Sequence, residues 1–217
     1  MISKRRELLL AVYERLYHAF GPQHWWPAET PSEVIIGAIL TQNTSWKNVR
    51  QSIQVLRQHG LLNFEALSDL PVSELAPMIR SSGYYNQKAR KLKAFCEYLR
   101  VQWQGDLSTL LSREMDDLRR ELLHVHGIGP ETADCIVLYA AFHPSFVVDA
   151  YTHRIFHRHG WVGEEVDYHS LREYFMQALE PDVTFFQEYH ALLVRTGHLH
   201  CRRKPNCLSC PLNNWRE

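Results

Sequence analysis

Apolar residues recur along this chain with the period of an α-helix. Leu9, Tyr13, Leu16 and Phe20 stand at i, i+4, i+7 and i+11, and Leu92, Phe95, Leu99 and Trp103 repeat the stripe one helix face at a time. Two stretches, Val34 to Leu40 and Cys135 to Phe142, are apolar at every position. Both fall far short of the roughly 18 residues that a spanning helix needs, so they predict buried helices and no membrane segment. Breakers such as Gly21-Pro22, Gly60, Pro71, Gly105-Asp106, Gly129-Pro130 and Gly160 cut the pattern into many short helices. Some starts carry a side-chain oxygen that can cap free N–H groups, as at Thr30-Pro31 and at Asp167. Only Phe146-Val147-Val148 reads as extended. The predicted class is all-α.

The chain has 217 residues, enough for one large domain or two small ones. At 45% hydrophobic and 22% charged, its composition excludes disorder and fibrous repeats. Lys plus Arg equals Asp plus Glu at 24 each, with thirteen His besides. Net charge therefore names no partner, and a nucleic-acid surface would have to come from local clusters such as Lys88-Ala89-Arg90-Lys91. The opening residues show no apolar stretch with a cleavage site, so the expectation is a cytoplasmic protein.

The stretch Leu122 to Ala133 places Gly127-Ile128-Gly129-Pro130 between two helical patterns. Glycines let a backbone turn with φ above zero and approach a ligand. The N–H groups of Val125, Gly127, Ile128 and Gly129, with the positive end of the next helix, suit a phosphate oxygen. A plain helix-helix turn has the same signature, and on these residues alone it is the simpler reading. Asp149, after an apolar triplet, reads in the same way as a helix N-cap. Three cysteines, Cys201-x5-Cys207-x2-Cys210, point to metal before disulfide in a cytosolic chain.

Taken in order, Trp25-Trp26-Pro27, Leu40-Thr41-Gln42-Asn43-Thr44, the glycine hairpin, Val147-Val148-Asp149 and the closing cysteines resemble the helix-hairpin-helix DNA glycosylases of the endonuclease III superfamily. With Ser82-Gly83-Tyr84-Tyr85 they are most similar to the 3-methyladenine DNA glycosylase III branch. The resemblance implies a two-lobed helix-hairpin-helix fold with a C-terminal cysteine-rich loop. Residues 23–143 would form a helical barrel domain, and residues 1–22 with 144–217 a second lobe. It also implies nucleoid association if the source is prokaryotic, duplex DNA carrying a damaged base as partner, and a monomer.

The resemblance makes Asp149 the catalytic carboxylate. It places Trp25, Trp26, Trp46 and Glu131 around the excised base, and Gln42 where a side chain fills the gap left by base flipping; Lys88 and Lys91 would meet the DNA backbone. Bifunctional members carry a lysine where this chain has Glu131, and a carboxylate cannot form their imine. The implied activity is excision of alkylated purines with the strand left intact. An endonuclease III-like glycosylase and lyase for oxidised pyrimidines or mismatches is the second reading, and a non-catalytic DNA-binding protein the third. Endonuclease III binds a [4Fe-4S] cluster through four cysteines with gaps of six, two and five. Here the first gap is five and Arg216 holds the fourth place. A cluster on Cys201, Cys207 and Cys210 with another ligand is the first expectation. Zinc on the same thiols with His198 or His200 is the second, and no metal the third.

Overall fold

The computed structural model describes residues 2–213 and 215; Arg216, at the place of the fourth cysteine, lies outside them. The described residues form twelve α-helices and contain no strand. In chain order these are α1 (Ile2–Phe20), α2 (Pro31–Thr41), α3 (Trp46–Gln58), α4 (Phe64–Asp69), α5 (Val72–Met78), α6 (Tyr85–Trp103), α7 (Leu107–Leu111), α8 (Met115–His124), α9 (Pro130–Tyr139), α10 (Ala150–Arg158), α11 (Tyr168–Met176) and α12 (Val183–Leu199). Three of them are long, α1 and α6 at 19 residues and α12 at 17, and α12 runs through Gly197 without breaking. Phe146 to Val148 is buried and irregular. No helix of the described residues is long and apolar enough to cross a membrane.

The chain divides into two compact units. One is Ala28–His143, built around the two all-apolar stretches. Thr30 caps α2 by accepting from the Glu33 N–H at 3.2 Å, Pro31 opens the first turn, and every residue from Glu33 to Leu40 is buried. A helix apolar all round must be enclosed, and α2 packs against α9, α3 and α6. The stretch from Cys135 stays helical only to Tyr139; Phe142 is exposed at φ +54°. Helix α9 is pinned to α8 by Arg119, whose Nε and Nη2 donate to the two oxygens of the fully buried Asp134 at 2.8 and 3.0 Å.

The other unit joins the chain up to Pro27 to everything from Pro144 onward. Its boundary therefore falls after Pro27 and not after Pro22, because Gln23 belongs with α12: its N–H donates to Glu188 Oε1 at 2.8 Å and its side-chain oxygen accepts from Arg195 at 2.9 Å. The core is aromatic, with Phe146 stacked on Phe175 at 4.1 Å and Tyr189 donating to the Leu9 carbonyl at 2.8 Å. Helices α10 and α12 approach closely at Gly197, where a Cβ would lie 2.3 Å from Tyr151 Cδ1 and 2.7 Å from Tyr151 Cβ. Any larger residue there would push the helices apart.

Candidate active site, hairpin and cysteine loop

Asp149 sits immediately before α10 with extended backbone, φ −131°. Its Oδ1 accepts from the Thr152 N–H at 2.7 Å and from Thr152 Oγ1 at 2.9 Å. The cap expected from sequence is thus in place, and it consumes one oxygen only. The other, Oδ2, lies 3.9 Å from Nε2 of His190 on α12, and both side chains are buried. Burial pushes the His190 imidazole below its usual pKa, against the pull of Asp149. A carboxylate held by one oxygen with the second turned elsewhere can stabilise positive charge or accept a proton without losing its orientation.

The hairpin connects α8 to α9. Gly127 takes φ +88°, and a Cβ there would lie 2.3 Å from Cγ of Lys91. Only glycine meets both demands. Gly129 is the N-cap of α9 at φ −92° with open space where a Cβ would stand, so its glycine is not forced by the backbone. Ile128 N–H donates to the Val125 carbonyl at 3.0 Å, whereas the Gly127 and Gly129 N–H groups have no backbone partner among the described residues. The side chains of Val125 and Ile128 are buried, which removes them as DNA contacts and leaves the backbone of the turn, with the exposed His126 side chain, to face a phosphate.

Gln42 is tied to this turn. Its Nε2 donates to the Gly127 carbonyl and to Thr132 Oγ1, each at 2.9 Å, and its Oε1 accepts from the Lys91 ammonium. Lys91 therefore lies along the hairpin. Lys88 does not: its side chain is buried, and its ammonium donates to the Leu40 carbonyl at 2.8 Å and the Ser82 carbonyl at 2.6 Å. Burial and the neighbouring Lys91 push its pKa down to about 8. The expectation that Lys88 meets a phosphate is corrected, because its amine closes the C-terminal end of α2 instead. Lys93 likewise caps the end of α4 through the Leu67, Ser68 and Leu70 carbonyls.

Of the aromatic residues, Trp25 and Trp26 lie in the irregular segment after α1, both partly exposed, with ring centroids 5.2 Å apart and planes tilted by 49°. Trp46 opens α3 and is partly exposed, and Glu131 is exposed in the first turn of α9. The pair belongs to one compact unit, Trp46 and Glu131 to the other.

Cys201, Cys207 and Cys210 all line one cavity of about 400 Å³, together with His200. Burial raises the pKa of the Cys210 thiol, the Leu212 N–H opposes this, and the neighbouring charges of Cys201 and Cys207 add to the rise. The three sulfurs therefore share one electrostatic environment. His198 lines a different groove with Trp25, Arg195 and Arg202, so it is not placed with the thiols. Among the described residues no group of three or more His, Cys, Asp or Glu side chains is gathered as a ready site for a metal ion. The loop is held to α10 by two arginines of that helix. Arg154 Nε donates to the Cys201 carbonyl at 2.6 Å, and Arg158 donates to the Arg202 carbonyl at 2.6 Å and to Cys201 Sγ at 3.4 Å.

His190, Thr152 and Gly197 escaped the sequence reading. A signal for His190 exists, since it interrupts the apolar run Tyr189 to Leu193, where an uncompensated imidazole would be costly.

The geometry can be set beside known proteins. A protein of Methanocaldococcus jannaschii named provisionally as a DNA repair glycosylase is 41% identical over 217 residues, covering 99% of this chain and 98% of its own. The crystal structure of Helicobacter pylori 3-methyladenine DNA glycosylase bound to 1,N6-ethenoadenine superposes with a TM-score of 0.76 at 27% identity, covering 89% of this chain and 97% of that one. A non-covalent endonuclease III–DNA complex superposes with a TM-score of 0.80 over 95% and 92% of the two chains; at 23% identity it speaks for the fold. The model of the HhH-GPD superfamily of base excision DNA repair proteins matches residues 36–181, more than half of the chain, with the hairpin and Asp149 inside that span, and the chain belongs to this superfamily of DNA glycosylases.

Proposed function

We propose that this protein is a monofunctional DNA N-glycosylase that flips damaged bases, alkylated purines of the 3-methyladenine type above all, out of duplex DNA and hydrolyses the N-glycosidic bond. The observation that carries the reading is Asp149: one oxygen fixed by the Thr152 N–H and hydroxyl, the other turned away from the cap. As the bond from the sugar C1′ to the base nitrogen breaks, its electron pair leaves with the base and positive charge grows on the sugar. The free oxygen of Asp149 stabilises that charge and takes the proton of the attacking water.

A purine alkylated on its ring is cationic and departs neutral, so the site needs no strong acid on the leaving group. Selection falls to stacking on Trp25, Trp26 and Trp46 with cation–π character, and to the negative charge of Glu131. The H. pylori relative holds another purine modified on its ring, 1,N6-ethenoadenine. The Gly127 and Gly129 N–H groups and the Lys91 side chain take the phosphate backbone, with Gln42 beside them.

The lysines support the reading that the strand is left intact. Glu131 replaces the nucleophilic amine of bifunctional relatives, and the amines of Lys88, Lys91 and Lys93 are all engaged, on carbonyls or on Gln42. Cys201, Cys207 and Cys210 would supply the thiolates for a [4Fe-4S] cluster in the cavity they line, with His200 as the additional ligand in preference to His198; the four side chains share the cavity but are not drawn together around one point. When bound, the cluster staples the loop that carries Arg202, Arg203 and Lys204.

The test is release of base from duplexes carrying 3-methyladenine, 7-methylguanine, thymine glycol or a mismatch, with strand breaks counted before and after alkali. Alkylated purine release with breaks only after alkali supports the proposal. Breaks without alkali refute the single activity, and lesion binding without release turns the reading to a binding protein.

A further inference from the structure

His190 stands out among the buried titratable groups because it interrupts an apolar stretch of α12 and faces the candidate catalytic carboxylate. It lies on α12 among Tyr189, Leu192 and Leu193, all fully buried, and is itself about 5% exposed. Its Nε2 faces Asp149 Oδ2 at 3.9 Å, opposite the Thr152 groups that hold Oδ1 at 2.7 and 2.9 Å. The carboxylate is therefore bracketed. Thr152 fixes one oxygen and His190 stands at the other, so rotation about the Cβ–Cγ bond would cost the cap.

Two features make the bracket specific. The first is the close approach of α10 and α12 at Gly197, where the Tyr151 ring occupies the place of a Cβ; this ties the head of α10 to the last turn of α12, about two turns beyond His190. The second is the direction in which the neighbouring groups turn. At the head of α10, Asp149 faces the imidazole, whereas His153 and Arg154 turn to the Glu164 and Cys201 carbonyls. From α1, Leu9 and Tyr13 lie against the adjoining Tyr189.

We propose that His190 is a positioning residue for the glycosylase reaction: with its hydrogen on Nε2, the imidazole aims the Oδ2 atom of Asp149 and holds it in the ionised form that the developing sugar cation requires. Burial disfavours the charged ring, so that an imidazole closing from 3.9 Å onto the carboxylate would donate to it with little cancellation of the negative charge needed against the sugar. The inference rests on Asp149 being the catalytic carboxylate.

The experiment is single-turnover base release, from pH 5 to 9, on the lesion duplex that the wild type clears fastest. Wild type is compared with His190→Leu, His190→Gln and His190→Asn, and with Asp149→Asn as control; affinity for undamaged duplex is recorded alongside. Losing a donor that closes onto the carboxylate during reaction corresponds to roughly a 10- to 100-fold lower rate for His190→Leu at neutral pH. Its duplex affinity should be unchanged. Without the donor the carboxylate protonates more readily, so the acid limb of the pH–rate profile should move to higher pH. Gln reaches the place of Nε2, and His190→Gln should restore both rate and limb; Asn is too short and should not.

A wild-type rate and limb in folded His190→Leu overturn the inference. Where that variant does not fold, Gln and Asn carry the test, and equal behaviour of the two overturns it. An inactive Asp149→Asn beside an unshifted His190→Leu sinks this proposal alone, whereas a fully active Asp149→Asn sinks the catalytic reading and this one with it.

Discussion

Gly127→Ala probes the hairpin most directly, and its cost can be worked in two parts. The backbone sits at φ +88°, where an L-residue is worse than glycine by about 1–2 kcal/mol. The new methyl would also lie 2.3 Å from Cγ and 2.7 Å from Cδ of Lys91. The stem must swing away and draw its ammonium from Gln42, an overpacking cost of about 1–3 kcal/mol. The sum, about 2–5 kcal/mol, lowers Tm by on the order of 10 °C at this chain length. A double-mutant cycle separates the parts. In a Lys91→Ala background the stem atoms are gone and only the backbone part remains, so Gly127→Ala should cost about 1–3 kcal/mol less there. Thermal or urea denaturation of the four proteins reads this out. Costs that agree within about 0.5 kcal/mol in the two backgrounds would refute the steric argument and leave backbone strain as the whole explanation.

Arg119→Ala leaves Asp134 buried without its bidentate partner and should cost about 3–5 kcal/mol in urea denaturation; replacing both residues by apolar ones should recover most of it. Thr152→Val removes the hydroxyl from Asp149 Oδ1 but keeps the N–H; it should lower stability by about 1 kcal/mol and slow base release more than it weakens duplex binding. The buried Lys88 titrates near 8 in the folded chain, below its ordinary value near 10.5, so the unfolded chain binds more protons between these values and stability rises with pH through that window. Lys88→Met should remove that rise from the stability–pH curve, and identical slopes for the two proteins would contradict the assignment.

The parts of the molecule legible in the sequence were those whose cause is local. Thr30, Asp149 and Asp167 each cap a helix three residues ahead, and cap chemistry is written within one turn. The uniformly apolar stretches gave the central helices α2 and α9 for a similar reason. Lys88 misled because a basic run looks like a solvated face, yet Lys88, Leu92, Phe95 and Leu99 stand at i, i+4, i+7 and i+11, so the buried stripe of α6 begins one turn before its first apolar residue. The two histidines at the end of α12 are separable in the same way. His198 and His200 differ by about 200° around a helix, so both could not face the same thiols. What no spacing supplies is a pair such as Asp149 and His190, or the carbonyls that receive Arg154 and Arg158, because these meet only after the helices have packed.

The attachment of the cysteine loop to α10 has a mechanical side. Arg154 and Arg158 grip main-chain carbonyls of the loop, while Asp149 heads the same nine-residue helix, a strut of roughly 14 Å at 1.5 Å per residue. Side-chain rotations cannot absorb a distortion of the loop when the guanidinium groups are fastened to its backbone. The distortion turns the strut, and the carboxylate at its far end turns with it. A chain whose loop has come loose should lose the aim of Asp149 well before it loses the helix.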